Sequence, residues 1–515
     1  MRPISFSLLL FVLGAFSAQA AVQPNTIFAD HMVLQRQLPI VVWGTAGDNE
    51  QVSVELKGPG GDQTVSTTAV GGKWQVKLPP FQAGGPYTMT ITGQNKIEIN
   101  DVLIGEVWLC SGQSNMERQL GPRPPQPEVV DWEKEVAAAN YPQIRQYYVN
   151  QTKGEQNTPS ASVSGSWAIC SPQTAANFTS VGYFFARDLQ EKLHVPVGII
   201  HSSLGGTPVK AWTSREAMLA DPELKKIFDK EDLDVSVKKW NADMADYKAK
   251  EPALLDQYNK DLATATQAGT PPPRKPEPPR NPASFWTPSV LYNGMIAPLE
   301  PYAIRGVVWY QGESDSGAGA PVYERNFHAM IADWRKAWGE GNFPFLFVQI
   351  APCGAWDPAI REAQLLAWQK TPNTAMVVTT DIGSTDMHPP HKQIVGERLV
   401  LAARALVYGE KTLEYSGPTY KSVTYNGNKA ILDFTHLDGG LMAKDGDLKG
   451  FEISADGKTF VPAKAEIQGN TVEVSADQVA NPQAVRFGWN SIPDVNLFNK
   501  IGLPASPFCT NPAPE

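Results

Sequence analysis

Cysteine is scarce in this chain, with four among 515 residues, at positions 110, 170, 353 and 509. That is too few for a disulfide framework. A Cys110–Cys170 bridge is conceivable in an exported chain, but buried free thiols are the expectation for at least two of the four. Long apolar runs are missing as well. Beyond the N-terminus no uncharged stretch approaches the ~20 residues of a membrane-spanning helix. Excess positive charge is absent: 44 Lys and Arg stand against 53 Asp and Glu, a net charge of −9. With no basic stripe, a nucleic-acid partner is not expected. No Cys or His spacing resembles a zinc site. Nor is there a Gly-x-Ser-x-Gly elbow of the ordinary α/β-hydrolase kind.

What is present has a clear order. Arg2, the apolar Phe6–Phe16 and the small-residue pattern Ala18-Gln19-Ala20 read as an export signal over 1–20. The protein is therefore expected to be exported, periplasmic or secreted. Residues 21–100 carry short alternating strands, such as Val52, Val54 and Leu56, punctuated by glycine turns. They predict a β-sandwich-like module. From 101 to 410 strands alternate with helices, which predicts a parallel sheet with helices on both faces. A charged segment at 216–282, ending in proline clusters, reads as an inserted helical hairpin. From 411 to 515 the strand pattern returns as a second β module, with Asn426-Gly427 suited to a tight hairpin.

Three stretches carry chemistry. Val102–Leu109 is an apolar strand that breaks into Ser111-Gly112-Gln113-Ser114-Asn115. Gly306–Tyr310 runs into Gln311-Gly312-Glu313-Ser314. Asp386-Met387-His388-Pro389-Pro390-His391 follows the strand-like Ala375–Thr380. Each places polar side chains just past a strand end, where sites of open α/β sheets collect. A serine there can be a nucleophile if a base reaches it and N–H groups face the oxyanion. The plainer reading is that Ser111 and Ser114 cap a helix.

These stretches, WLCSGQSNM, WYQGES and HPPHKQIVGERL, resemble the SASA branch of the SGNH hydrolases, which includes sialate O-acetylesterases and related carbohydrate acetylesterases. The likeness extends to Asp30–Gln35 and Val42-Trp43-Gly44 and spans most of 25–410. It implies a flavodoxin-like SGNH sheet and a serine esterase without metal or organic cofactor. It assigns Ser114 as nucleophile and favours His388, in the loop before the prolines, over His391 as base. It also implies an oxyanion hole of Ser114 N–H, Gly206 N–H (with Gly205 as its neighbour) and the Gln311 amide. Many such enzymes carry Asp three residues before the histidine; here that position is Thr385. Asp386 is then the first choice to orient His388, Asp381 the alternative, and a dyad held by a backbone carbonyl a third. Gln113, Asn115, Glu313 and Tyr310 are candidates for substrate contact; Glu313 could instead brace Gln113 or Asn115 or pair with an arginine, and Asn115 could fix the turn, while Trp108 and Trp309 read as packing.

The expectation is an exported serine esterase that removes O-acetyl groups from carbohydrates, through a Ser-His(-Asp) acyl-enzyme. Sialate 9-O-acetyl esters are one substrate class; acetylated plant polysaccharides such as xylan or xyloglucan are the other. The rival from a different class is a non-catalytic carbohydrate-binding protein.

Overall fold

The structure is a computed structural model that describes residues 21–511 apart from 269, 271 and 280. The expected export signal lies outside the described residues. One strand, β1 (Lys96–Gly112), organises the rest. Its first residues alternate between exposed and buried, and pair antiparallel with Gly84–Thr92. From Val102 onward every residue is buried. Alternation suits a sheet wetted on one face, and a continuous buried run suits a parallel strand covered on both. The module boundary expected at residue 100 is therefore no break. The N-terminal strands Gln51–Lys57, Gln63–Thr68 and Gly84–Thr92 join the central strands through β1 in one 11-stranded sheet.

The central strands are β2 (Tyr141–Val149), β3 (Gly165–Cys170), β4 (Val197–Ser203), β5 (Gly306–Tyr310), β6 (Phe345–Val348) and β7 (Thr374–Val377). Their order is β3–β2–β4–β1–β5–β6–β7. All neighbours are parallel except β3 with β2. The helices used below are α1 (Ser114–Glu117), α2 (Ser180–Leu193), α3 (Leu233–Ala268), α4 (Ala320–Trp338), α5 (Ala359–Lys370) and α6 (Lys392–Leu406). Strand periodicity sorts the side chains between them. Trp108, Cys110 and Tyr310 share a core with Phe184 of α2 and Leu399 of α6. Leu109 and Trp309 join Phe327 and Trp334 of α4 on the other face. Trp108 and Trp309 are fully buried, as packing residues should be.

The inserted segment carries short helices at Arg215–Ala220 and Pro222–Lys230 before a long one. Its main element is the single 36-residue helix α3. Among the described residues the proline-rich return forms no helix, because proline lacks the N–H that a helix interior needs. It runs back along α3, and Pro279 O accepts the indole N–H of Trp240 at 3.0 Å. In the C-terminal module two four-stranded sheets form. Asn426 pairs with Lys429 across a tight turn in which Gly427 has φ +59°. The module docks directly on the central domain: Gln349 donates to Ser506 Oγ at 3.0 Å, and the buried Arg361 donates to the carbonyls of Asn490 and Ser491. All four cysteines are free, three of them buried, so no Cys110–Cys170 bridge forms.

Candidate active site

The end of β1 is shaped by Gly112, at φ +135°. A Cβ there would lie 2.1 Å from Tyr310 O, so only glycine allows β1 and β5 to close. Gln113 N–H then donates to Tyr310 O at 2.9 Å, and Ser114 opens α1. The pattern Ser114-x-x-Glu117 reads as a capping box, yet no side chain caps this helix. Glu117 turns instead to the neighbouring loop. Its carboxylate accepts Gly205 N–H at 2.6 Å, Gln151 Nε2 at 2.9 Å, and Arg123. Among the described residues Ser114 Oγ makes no hydrogen bond, and neither the Ser114 N–H nor the Gly206 N–H has an acceptor. A Cβ on Gly205 would lie 3.3 Å from Ser114 Cβ, so the glycine loop sits against Ser114. With Gly205 N–H spent on Glu117, Gly206 is the glycine with a free donor.

His388 comes to the same place. Asn115 Nδ2 donates to Met387 O at 3.0 Å, so the residues beside Ser114 and His388 are bonded to each other. The His388 side chain is largely buried, and its Nε2 faces Gln126 Nε2 at 3.4 Å. No hydrogen bond joins it to Ser114 among the described residues; in unliganded sites such bonds are commonly long. Asp386 Oδ1 accepts the His388 backbone N–H at 2.7 Å and lies 3.5 Å from Nδ1. Asp381, the alternative orienter, is held by both nitrogens of the Arg398 fork, at 2.8 and 2.6 Å, and is not a partner of His388. His391 is exposed at the start of α6. Burial, followed by the Lys392 cation, holds His388 below the usual imidazole value, with Asp386 opposing.

The four residues expected to touch substrate are buried beneath the site instead. Gln113, Asn115, Glu313 and Tyr310 are each at most 4% exposed. A network takes up several of their polar atoms. Gln113 Oε1 accepts the N–H groups of Gly312 and Ser314 at 3.4 and 3.1 Å. Asn115 Nδ2 donates to Glu313 Oε1 at 2.6 Å, and Asn115 Oδ1 accepts from Lys392 Nζ at 2.5 Å. Lys392 also lies 5.3 Å from the centre of the Tyr310 ring. It is fully buried and pushed down to about 7 by desolvation, which Glu313 partly offsets. Burial raises Glu313 in turn.

Gln311 is likewise committed. Its amide nitrogen donates to Thr207 O at 3.0 Å and to Asp315 Oδ2 at 2.6 Å, which uses both hydrogens. In this conformation it braces the glycine loop. Asp315, pushed up to about 6 by burial, also accepts Val209 N–H at 2.9 Å.

Sequence reasoning missed Lys392, Glu117 and Gln126. For Lys392 a signal existed. It lies three residues before Val395 on the apolar stripe of α6, so a helix register puts its charge on the buried face. Among the described residues no group of three or more His, Cys, Asp or Glu could hold a metal ion.

Comparison with known proteins finds relatives among carbohydrate esterases. Residues 104–262 and 282–403 match the family described as carbohydrate esterase, sialic acid-specific acetylesterase. The chain is 30% identical to the sialate O-acetylesterase of Rattus norvegicus, covering 98% of each, and 28% identical to that of Homo sapiens, covering 93% and 90%. It is also similar to the crystal structure of a carbohydrate acetylesterase from Xanthomonas citri. That match has a TM-score of 0.77 and 35% identity, over 95% of this chain and 99% of the other.

Proposed function

We infer the chemistry from a fixed premise: this chain belongs to the sialic acid-specific acetylesterase family of carbohydrate esterases, and is a carboxylic ester hydrolase. The reading is an exported enzyme of SGNH type that removes O-acetyl groups from carbohydrate hydroxyls through an acyl-enzyme. Ser114 Oγ attacks the acetyl carbonyl while His388 takes its proton. The negative charge on the carbonyl oxygen is met by the N–H groups of Ser114 and Gly206. Gln311 joins them only by releasing Thr207 or Asp315. His388 then protonates the leaving sugar oxygen. In the second half it takes a proton from water, which attacks the acetyl-serine and frees acetate.

The observation that carries this reading is the uncommitted Ser114 hydroxyl, next to two free N–H groups and tied through Asn115 to the loop of His388. The parallel sheet order supports the SGNH assignment. Export rests on the pattern of residues 1–20. Acetate release from 4-nitrophenyl acetate tests the mechanism. Ser114→Ala is expected to lose on the order of 10⁴- to 10⁶-fold in kcat, as removal of a catalytic serine does. Equal rates in the two proteins would end the Ser114 mechanism.

A further inference from the structure

The amide of Gln126 lies on the base itself. Its Nε2 is 3.4 Å from His388 Nε2, the atom that takes the proton of Ser114 Oγ in the reading above. Two nitrogens meet favourably only if one donates and the other accepts. An amide nitrogen has no lone pair to offer, so it is the donor and the imidazole nitrogen the acceptor. Asp386, 3.5 Å from His388 Nδ1, favours the proton on that nitrogen and leaves the lone pair on Nε2, in agreement. Gln126 therefore sits on the lone pair that Ser114 needs, which accounts for the absence of a Ser114–His388 hydrogen bond among the described residues.

The segment that carries Gln126 is stiff. It reads Gly121-Pro122-Arg123-Pro124-Pro125-Gln126-Pro127, and each proline fixes its own φ. The proline after Gln126 restricts the backbone of that residue as well. Both ends are tied down. The buried Arg118 donates to Gly121 O and to Pro127 O, each at 2.8 Å. Val130 N–H donates to Pro390 O, in the loop of His388, at 3.1 Å. Turning the Gln126 side chain is then the way to free the His388 lone pair.

The other half of the amide is unused. Gln126 Oε1 is buried and has no hydrogen-bond partner among the described residues. A buried acceptor without a donor is costly, so the resting position is one the side chain leaves readily once a donor arrives. The substrate brings such a donor. The leaving sugar oxygen takes its proton from His388 Nε2, so it stands within hydrogen-bond reach of that atom and beside the Gln126 amide. A hydroxyl on the carbon next to the ester is the donor that Oε1 meets there.

We propose that Gln126 is a latch released by substrate: in the free enzyme its amide covers the His388 lone pair, and in the complex it swings off to bind a sugar hydroxyl beside the leaving oxygen. The proposal rests on the reading of Ser114 as nucleophile and His388 as base. The test follows kcat and kcat/KM against pH for the full chain and for Gln126→Leu, first on 4-nitrophenyl acetate, which has no hydroxyl to bind. Leucine cannot donate, so the lone pair of the free base is always open. The kcat/KM plateau is expected to rise about two- to fivefold, the worth of one weak hydrogen bond. That bond favours neutral His388, so its loss moves the acid limb of kcat/KM up by the logarithm of the same factor, about 0.3 to 0.7 of a pH unit. The acid limb of kcat belongs to the complex, where the latch is already off, and stays in place. Asp386, Lys392, Arg118 and Arg123, the charged groups that act on His388, are the same in both proteins. A plateau and a limb that do not move overturn the latch.

The second arm uses acetylated xylo-oligosaccharides and a 9-O-acetylated sialoside, read on whichever is cleaved faster. Gln126→Leu is expected to lower kcat/KM on the sugar ester about tenfold relative to 4-nitrophenyl acetate, through the lost hydrogen bond to the sugar. Equal changes on the two kinds of ester overturn the proposal, as does a wild type that cleaves neither sugar ester. Gln126→Glu serves if Gln126→Leu does not fold. It keeps an acceptor for the hydroxyl and loses the donor, so the acid limb is expected to rise while the ratio of sugar ester to 4-nitrophenyl acetate holds. Cleavage of 4-nitrophenyl acetate that survives Ser114→Ala overturns the reading on which the latch rests, and is seen without any Gln126 variant.

Discussion

Two buried charge clusters stand at the two ends of the buried half of β1, and they are built differently. At the lower end Glu106 is fully buried, with Oε1 on Arg36 Nε at 2.5 Å and Oε2 on Arg305 Nε at 2.6 Å. The Tyr408 hydroxyl donates to it at 3.0 Å. Its charge is neutralised and its oxygens are occupied. At the upper end Lys392 and Glu313 are equally buried but meet only through the Asn115 amide. Glu313 Oε2 and the Tyr310 hydroxyl have no partner there. An unsatisfied buried polar group costs about 1–3 kcal/mol, so the upper cluster gives up stability that the lower one keeps. The lower end is a strut that locks the N-terminal strands to the sheet. The upper end fixes the relation between Ser114 and His388 and sets the field around the imidazole.

If that contrast is right, breaking the strut has its largest effect on stability. Glu106→Gln leaves two guanidiniums buried without their carboxylate. Breaking a buried pair in this way costs about 3–5 kcal/mol. Urea unfolding is expected to show that loss, while kcat/KM on 4-nitrophenyl acetate stays at the wild-type value. An unfolding midpoint that does not move would show that Glu106 is no strut.

Lys392→Met reverses the pattern. Methionine keeps the length of the side chain and removes a buried charge, so the fold is expected to survive. Asn115 loses a donor, and the loops of Ser114 and His388 lose their fixed relation. Misplacement of reacting groups by about 1 Å costs about 100-fold, which bounds the expected fall in kcat. The pH profile gives the sign. His388 must be neutral to accept a proton, and the Lys392 cation helps to hold it below its ordinary value. Lys392 titrates at about 7, so it is charged throughout the acid limb. Its removal raises His388, and activity is then lost at higher pH on acidification. An acid limb that stays in place, with kcat intact, would make Lys392 a mere filler of space.

How much of this was legible follows from the same chemistry. The strand-to-polar breaks after β1, β5 and β7 were readable because apolar runs ending in small polar residues need no partner to be recognised. β2 and β3 were not. Arg145 and Gln146 interrupt the apolar pattern of β2, yet both are buried, because Arg145 donates to His31 O and Asp101 O and Gln146 accepts Thr179 N–H. Those partners are distant in sequence, so nothing local announces them. The resemblance marked Ser114, His388 and Gly206. It could not say that Gln113, Asn115, Glu313 and Tyr310 sit under the site, since burial of polar residues depends on which loops meet. Nor could spacing choose between Asp381 and Asp386. Arg398, seventeen residues on, occupies Asp381, a partner that no local spacing announces.

Asp386→Asn has the smallest expected effect and the opposite sign to Lys392→Met. Its carboxylate is 44% exposed and lies 3.5 Å from His388 Nδ1, a distance too long for a strong hydrogen bond. Its short contact is with the His388 backbone N–H, at 2.7 Å, and an asparagine oxygen can accept that bond equally well. The loss in kcat is therefore expected to fall well short of the roughly 10⁴-fold that a buried triad aspartate costs. The carboxylate raises His388, so removing its charge lowers the imidazole further. The acid limb of kcat/KM then moves to lower pH, away from the shift expected of Lys392→Met. A limb that moves upward, or a loss on the full triad scale, would mean that Asp386 closes on Nδ1 when substrate binds. The upper cluster would then hold a paired carboxylate, as the lower one does.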